Sequence, residues 1–140
     1  MTNEPIAPEV LCAVRRCVAD SLAVPEAEVL PESRLIDDLG ADSLDFVDIV
    51  FALDRALDVR VRETEFNFLT RLDFSSPEIM KGAHLAEPVL ARLESWLPAL
   101  REVADRARVT PRGLFSMITI ESLCLACQHA IAARDAAKAR

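Results

Sequence analysis

The sequence predicts an all-α fold, and three observations support that prediction. Apolar residues recur at three- and four-residue steps in several stretches, which is the period of amphipathic helices. Glycine is scarce, with 3 among 140 residues, while capping residues and prolines stand where these stretches begin. The length suits one compact domain with a real core. We therefore expect a single, mainly helical domain.

The first helix is predicted to begin at Pro8 and to end before Pro25, with an apolar side at Leu11, Val14, Val18 and Leu22. A long loop follows, and Gly40 breaks the chain before the second helix. Asp42 is the predicted N-cap of that helix and Asp45 completes its acidic first turn, which suits the helix dipole.

The second helix is predicted to extend to about Leu57. Its spacing places one group of apolar residues toward a core: Leu44, Val47, Val50, Phe51 and Leu57. Three others are expected to stay partly exposed beside the acids: Phe46, Ile49 and Leu53.

In the second half, Ser76 is predicted to cap a short helix that ends near Gly82. A longer amphipathic pattern follows, and Pro98 should kink it or restart it. Thr110 belongs to a loop or cap signal, and Thr119 is the predicted cap of the last helix. The buried side of that helix is expected at Ile120, Leu123, Cys127 and Ile131.

The charge pattern limits the possible partners. The net charge is −7, and residues 37–58 alone carry seven acids and one base. Such local acidity argues against nucleic acid and anionic membranes, and it favours partners with basic surfaces. Charged residues interrupt every apolar stretch, so no stable membrane insertion is expected, and the first residues lack the pattern of a signal peptide. We therefore expect a cytoplasmic protein.

Ser43 stands at the predicted junction of loop and second helix, where it should be exposed. The sequence places neither His84 nor His129 near it as a base, and nearby aspartates would disfavour an oxyanion. Ser43 is therefore poorly equipped as a nucleophile, and it is well placed to be modified by another enzyme. No catalytic residue is expected in the chain.

The stretch from 22 to 61, with Leu-Gly-Ala-Asp-Ser-Leu-Asp at 39–45 as its core, resembles an acyl carrier protein of the dissociated bacterial type. The segment Ile-Thr-Ile-Glu-Ser-Leu at 118–123 resembles the start of the last helix in that family. This resemblance implies an acyl-carrier-like up-down four-helix bundle. In that bundle Ser43 would carry 4′-phosphopantetheine, transferred from coenzyme A, as a phosphodiester. The thiol of that arm would hold an acyl chain as a thioester, while the carrier, a phosphoprotein, catalyses nothing.

The resemblance also implies partners, namely a phosphopantetheinyl transferase and acyl-loading, chain-modifying and acyl-transferring enzymes with basic docking surfaces. The acidic residues would steer partner enzymes toward the carrier, and neighbouring apolar residues would contact them. The apolar face of the second helix would line a cleft for the acyl chain. The expected docking residues are Asp37, Asp38, Asp42, Leu44, Asp45, Phe46, Asp48 and Ile49. The chain is expected to be a monomer.

The chain departs from the family pattern in two ways. Arg55, Arg60 and Arg62 interrupt the acidity after the second helix and would narrow the set of partners. We expect one domain of residues 1–140. Its carrier core consists of two segments, 1–62 and 113–140, and an insertion at 63–112 lies between them. The insertion is too apolar for a disordered linker, as its largest side chains show: Phe66, Phe68, Phe74, Leu85, Leu90, Trp96 and Leu100. We expect it to form two or three helices packed on the bundle, with Trp96 buried.

These departures favour a specialised carrier in fatty-acid or lipid biosynthesis, including long-chain or lipid A related pathways. Two alternatives stay open: a carrier for an aminoacyl or polyketide unit, and a non-carrier interaction protein with the same fold. Four cysteines could in principle bind zinc, as Cys124 and Cys127 form a C-x-x-C pair. Their positions inside amphipathic helices favour a packing role, so no metal is expected.

Overall fold

The computed structural model describes residues 5–61 and 74–139, except for the side chain of Ser43. The described part is mainly helical, and the predicted all-α, acyl-carrier-like architecture with additional helices is confirmed. Five α-helices are described, namely α1 (Pro8–Leu22), α2 (Ser43–Leu57), α3 (Glu87–Leu93), α4 (Pro111–Ser116) and α5 (Ile120–Lys138). Three short 3₁₀ helices lie at Glu26–Glu28, Pro98–Glu102 and Arg106–Arg108, and two strands at β1 (Met80–Lys81) and β2 (His84–Leu85).

The helices α1, α2 and α5 form the centre of the bundle, with α1 packed against both others. Val14 and Val18 of α1 are fully buried, as are Ile49 and Leu53 of α2. At one end, the Nη1 atom of Arg134 donates hydrogen bonds to the carbonyl oxygens of Leu57 (2.8 Å) and Asp58 (3.1 Å). Arg134 therefore fixes the C-terminal end of α2 to α5, where a cation also suits the helix dipole.

The predicted caps of the longer helices are confirmed. Asp42 caps α2 and Thr119 caps α5, each within a reciprocal capping box. The helix α1 ends at Leu22, three residues before Pro25, because Ala23 adopts a left-handed conformation (φ 56°). None of the described helices combines the length and the apolar character needed to cross a bilayer.

The cysteines are free and lie at different depths. Cys124 and Cys127 of α5 are fully buried, Cys17 is partly buried and Cys12 is exposed. Burial raises the pKa of the Cys124 thiol from 9.0 to about 12 and also raises that of Cys127. In the described residues, no group of three or more histidine, cysteine or acidic side chains is arranged to hold a metal ion. The two thiols of the C-x-x-C pair lie in the core, where cysteine packs as a small apolar residue.

The insertion differs in part from its prediction. The helix predicted from Ser76 to Gly82 is wrong, because β1 and β2 pair there as an antiparallel hairpin with Met80 opposite Leu85. Gly82 has a φ of +66° in the connecting turn, a conformation that a helix does not accommodate. The predictions for Phe66, Phe68 and the rest of 62–73 lie outside the described residues.

The later part of the insertion is built around Trp96, which is 1% exposed as predicted. A 3₁₀ helix restarts at Pro98, also as predicted. The guanidinium of Arg106 contacts the carboxylates of Glu87 (2.8 Å) and Glu94 (3.0 Å), which ties this part of the chain to α3. The buried residues of the insertion and of the bundle belong to one hydrophobic cluster.

Candidate functional site

The loop before α2 is anchored to the segment that begins α5. The backbone N–H of Leu35 donates to the carbonyl of Ile118 (2.9 Å), and that of Ile120 donates to the carbonyl of Ser33 (3.0 Å). The side chain of Ser116, at the end of α4, donates from Oγ to Oδ2 of Asp37 (2.7 Å). These contacts join residues about 80 positions apart, so they fix a loop that would otherwise be mobile.

The turn into α2 depends on Gly40. Gly40 has a φ of +76°, and its N–H donates to the carbonyl of Ile36 (3.0 Å). A residue with a side chain would be strained there, although a Cβ at this position would have no neighbour within 4 Å. The space beside Gly40 is therefore open, three residues before Ser43.

The start of α2 is held by reciprocal hydrogen bonds. The N–H of Asp45 donates to Oδ1 of Asp42 (2.8 Å), and the N–H of Asp42 donates to Oδ2 of Asp45 (3.0 Å). Ser43 is the first residue of α2, so this capping box fixes its backbone. The expected exposure of the Ser43 hydroxyl concerns a side chain outside the described part.

The rotation of α2 differs from the prediction. Leu44, Val47 and Phe51 were expected to face the core, yet they are 74%, 42% and 41% exposed. The residues expected to be partly exposed are buried instead, namely Phe46, Ile49 and Leu53. The prediction failed because α2 carries apolar residues on most of its circumference, so its own periodicity does not fix its rotation; packing against α1 does.

This rotation corrects the set of docking residues. Phe46 (6% exposed) and Ile49 (0%) belong to the core and offer no surface to a partner. Leu44 remains on the surface, and the sequence reasoning missed Val47 and Phe51, which stand three and seven residues after it. These three side chains form an exposed apolar stripe along α2, of the kind that contacts partners.

Five carboxylates lie in the loop before α2 and in its first two turns, and we call them the acidic surface: Asp37, Asp38, Asp42, Asp45 and Asp48. Most of them also have structural partners. Asp37 accepts from Ser116 and contacts Arg34 (3.5 Å), and Asp38 accepts from the N–H of Arg34 (2.8 Å). Asp42 and Asp45 form the capping box. Within the described residues, the side chain of Asp48 makes no hydrogen bond or ion pair. Of the five carboxylates, it is therefore the one that contributes no side-chain contact to the fold.

A large open cavity lies away from this junction. Its volume is about 610 Å³, and alanines of α5 and residues after α2 line it, including Ala133 and Val59. Because α2 has 15 residues, this cavity lies about 22 Å along the helix axis from Ser43. It therefore lies near the C-terminal end of α2, far from Ser43.

The junction suits a phosphodiester-linked arm on Ser43. The first turn of a 15-residue helix favours a negative group, the space beside Gly40 is open, and the neighbouring Leu44 is exposed. When bound, 4′-phosphopantetheine supplies a thiol that holds an acyl chain as a thioester. The chain's own residues provide a capped, anchored helix start and the charged and apolar surface around it.

Comparisons with known proteins agree with this geometry. The model of the phosphopantetheine attachment site family matches residues 12–73. An acyl carrier protein of Campylobacter lari is 40% identical over 60 residues, which cover 43% of this chain and 78% of that relative. No solved structure matches the chain significantly. Because that relative is 40% identical and is covered over 78% of its length, the chain belongs to the acyl carrier protein family, whose covalent cofactor is 4′-phosphopantetheine.

Proposed function

We propose that Ser43 is the attachment residue for 4′-phosphopantetheine and that the chain delivers thioester-linked acyl groups to partner enzymes. The observation that carries this proposal is the capped start of α2, which holds Ser43 as the first helical residue inside the matched region. The chain itself is a carrier and not a catalyst in this proposal, and it works as a cytoplasmic monomer.

Intact-mass spectrometry tests the attachment residue. The purified apo chain is incubated with coenzyme A and a phosphopantetheinyl transferase, and we expect one phosphopantetheine per chain. Ser43→Ala should abolish the modification, because the ester oxygen is lost. The matched control is Ser95→Ala, which changes an exposed serine of the insertion and should leave labelling intact. Modification that persists in Ser43→Ala would contradict the proposal.

The surface around Ser43 supports a docking role toward enzymes with basic surfaces. The acidic surface supplies the charge that steers such enzymes, and the stripe of Leu44, Val47 and Phe51 supplies apolar contact. Asp48 stands four residues after Leu44 and three before Phe51 on α2, so the three side chains share one face of the helix. One partner could therefore contact the charge and the apolar surface together. The transferase and the acyl-handling enzymes are the partners in this proposal.

The insertion supports a specialised pathway. We assign the carrier core to 1–62 and 113–140 and the insertion to 63–112 of a single domain. The helix α4 begins at Pro111, two residues before the second part of the core begins at 113. That boundary therefore lies within the first turn of α4. The apolar packing around Trp96 adds a folded element that a carrier of short, common acyl groups would not need. It therefore favours a specialised fatty-acid or lipid pathway, and the candidate cargoes are long-chain or lipid A related acyl groups. Mass spectrometry of the natively loaded protein would separate such chains from an aminoacyl or polyketide unit.

A further inference from the structure

The loop before α2 is held at Asp37 by a hydroxyl group from α4. The Oγ atom of Ser116, the last residue of α4, donates to the Oδ2 atom of Asp37 (2.7 Å), although 79 positions separate the two residues. Asp37 also contacts the guanidinium of Arg34 at 3.5 Å, an exposed ion pair of the kind that contributes little. The short bond to a charged acceptor is the stronger of the two, so Ser116 sets the orientation of the Asp37 side chain.

Residues 34–41, which we call the attachment loop, connect Asp37 to the start of α2. The N–H of Gly40 donates to the carbonyl of Ile36 (3.0 Å), and a bond from the N–H of Ala41 (3.1 Å) closes the same turn. Asp37 lies inside this hydrogen-bonded turn, and Ser43 follows Gly40 by three residues. A displacement of Asp37 therefore changes the orientation of the backbone that enters α2 at Ser43.

The helix α4 is fixed from the side of the insertion, so Ser116 has a defined position. The Oγ1 atom of Thr110 accepts a backbone N–H in the first turn of α4 (3.0 Å), and Leu114 is fully buried. One residue before this cap, the carbonyl of Val109 accepts from the N–H of Leu85 in β2 (2.7 Å). A continuous series of contacts therefore runs from the insertion to the attachment loop and ends at Ser116.

We infer that Ser116 is a positioning residue for the modification of Ser43 and that it acts through Asp37. Its hydroxyl holds the attachment loop in the orientation that a phosphopantetheinyl transferase recognises, before that enzyme docks. The inference rests on the proposed function of Ser43. Loss of the hydroxyl would reduce the fraction of carrier molecules in the competent orientation. It would therefore raise the KM for the carrier and leave kcat unchanged, because a docked carrier is already oriented.

The experiment measures kcat and KM for the modification of Ser43 by a phosphopantetheinyl transferase with coenzyme A, using initial rates from intact-mass spectrometry. It compares the wild type with Ser116→Ala, Asp37→Ala and the variant that combines both. Ser116→Thr keeps a hydroxyl at this position, and Ser95→Ala, which changes an exposed serine of the insertion, is the matched control. The fluorescence of the buried Trp96 reports the folding of each variant.

We expect Ser116→Ala to raise KM by about two- to threefold, and about fivefold is the upper limit, reached where the released loop predominates. Ser116→Thr and Ser95→Ala should keep the wild-type KM. Asp37→Ala also removes a steering charge, so its KM should rise at least as much as that of Ser116→Ala. In the Asp37→Ala background, Ser116→Ala should have no further effect, because both substitutions remove the same bond.

An unchanged KM in Ser116→Ala would overturn the inference, and so would an equal increase in Ser116→Thr or in Ser95→Ala. An effect of Ser116→Ala that persists in the Asp37→Ala background would show that Ser116 does not act through Asp37, which also overturns it. Absence of any Ser43 modification in the wild type would instead refute the proposed function, so the two failures are distinguishable.

Discussion

The capping box of α2 should control both stability and modification of Ser43, and Asp42→Ala tests this. The substitution removes the acceptor of the 2.8 Å bond from the N–H of Asp45, and of the capping box it leaves only the bond from the backbone N–H of residue 42 to the carboxylate of Asp45. The cap is exposed, so water partly replaces the lost bond, and we expect a loss of about 1 kcal/mol. That corresponds to a decrease in Tm of about 3–4 °C for a domain of this size.

The same energy sets the expected effect on function. A loss of about 1 kcal/mol increases the population with an open first turn about fivefold. Because Ser43 is the first residue of that turn, its modification by a phosphopantetheinyl transferase should slow in proportion to the closed fraction, and a decrease of about fivefold is the upper limit, reached where the open turn predominates. Initial rates from intact-mass spectrometry and a thermal melt measure the two effects on the same samples.

Two control variants separate the cap from the charge. Asp42→Asn removes the charge but keeps a good N-cap, so it should retain the Tm of the wild type. Asp48→Asn removes one charge from the same helix without touching a hydrogen bond of the described residues. If Asp42→Ala and Asp42→Asn give the same Tm and the same rate, the capping box does not position Ser43 and the reasoning is refuted.

Three further predictions follow from the surface, the core and the insertion. Asp48→Lys should slow modification by about two- to tenfold at low salt, and an unchanged rate would show that the charge is merely solvated. Burial raises the pKa of Cys124 in the folded state to about 12, so the neutral thiol favours folding. The free energy of unfolding should therefore fall as pH rises above about 9, where the thiol of the unfolded chain ionises. In alkaline thermal melts Cys124→Ala should make that fall less steep, whereas Cys12→Ala, at an exposed site, should not. Trp96 should emit at short wavelength in the folded protein, because it is 1% exposed, and its emission should change when a long acyl chain replaces the bare arm; a water-exposed spectrum would contradict its burial.

Local signals in the sequence determined much of the fold and the centre of the site. Capping residues act on backbone groups within three positions of themselves, so Asp42 and Thr119 identified the starts of α2 and α5 without any tertiary information. Ser43 is also a local feature, because its motif occupies consecutive residues. Trp96 is buried as predicted, but the helical spacing of its apolar neighbours did not form one helix, because Leu85 lies in β2 and α3 ends at Leu93.

Only the tertiary structure decided which face of α2 is exposed. A helix with apolar residues on most sides has no preferred rotation of its own, so contacts with α1 and α5 bury Ile49 and leave Phe51 on the surface. The hairpin around Gly82 has the same origin, since strand pairing is not encoded in a short capping signal. The bond between Asp37 and Ser116 joins residues 79 positions apart. No local pattern specifies such a contact, because only the folded chain brings the end of α4 to the loop before α2.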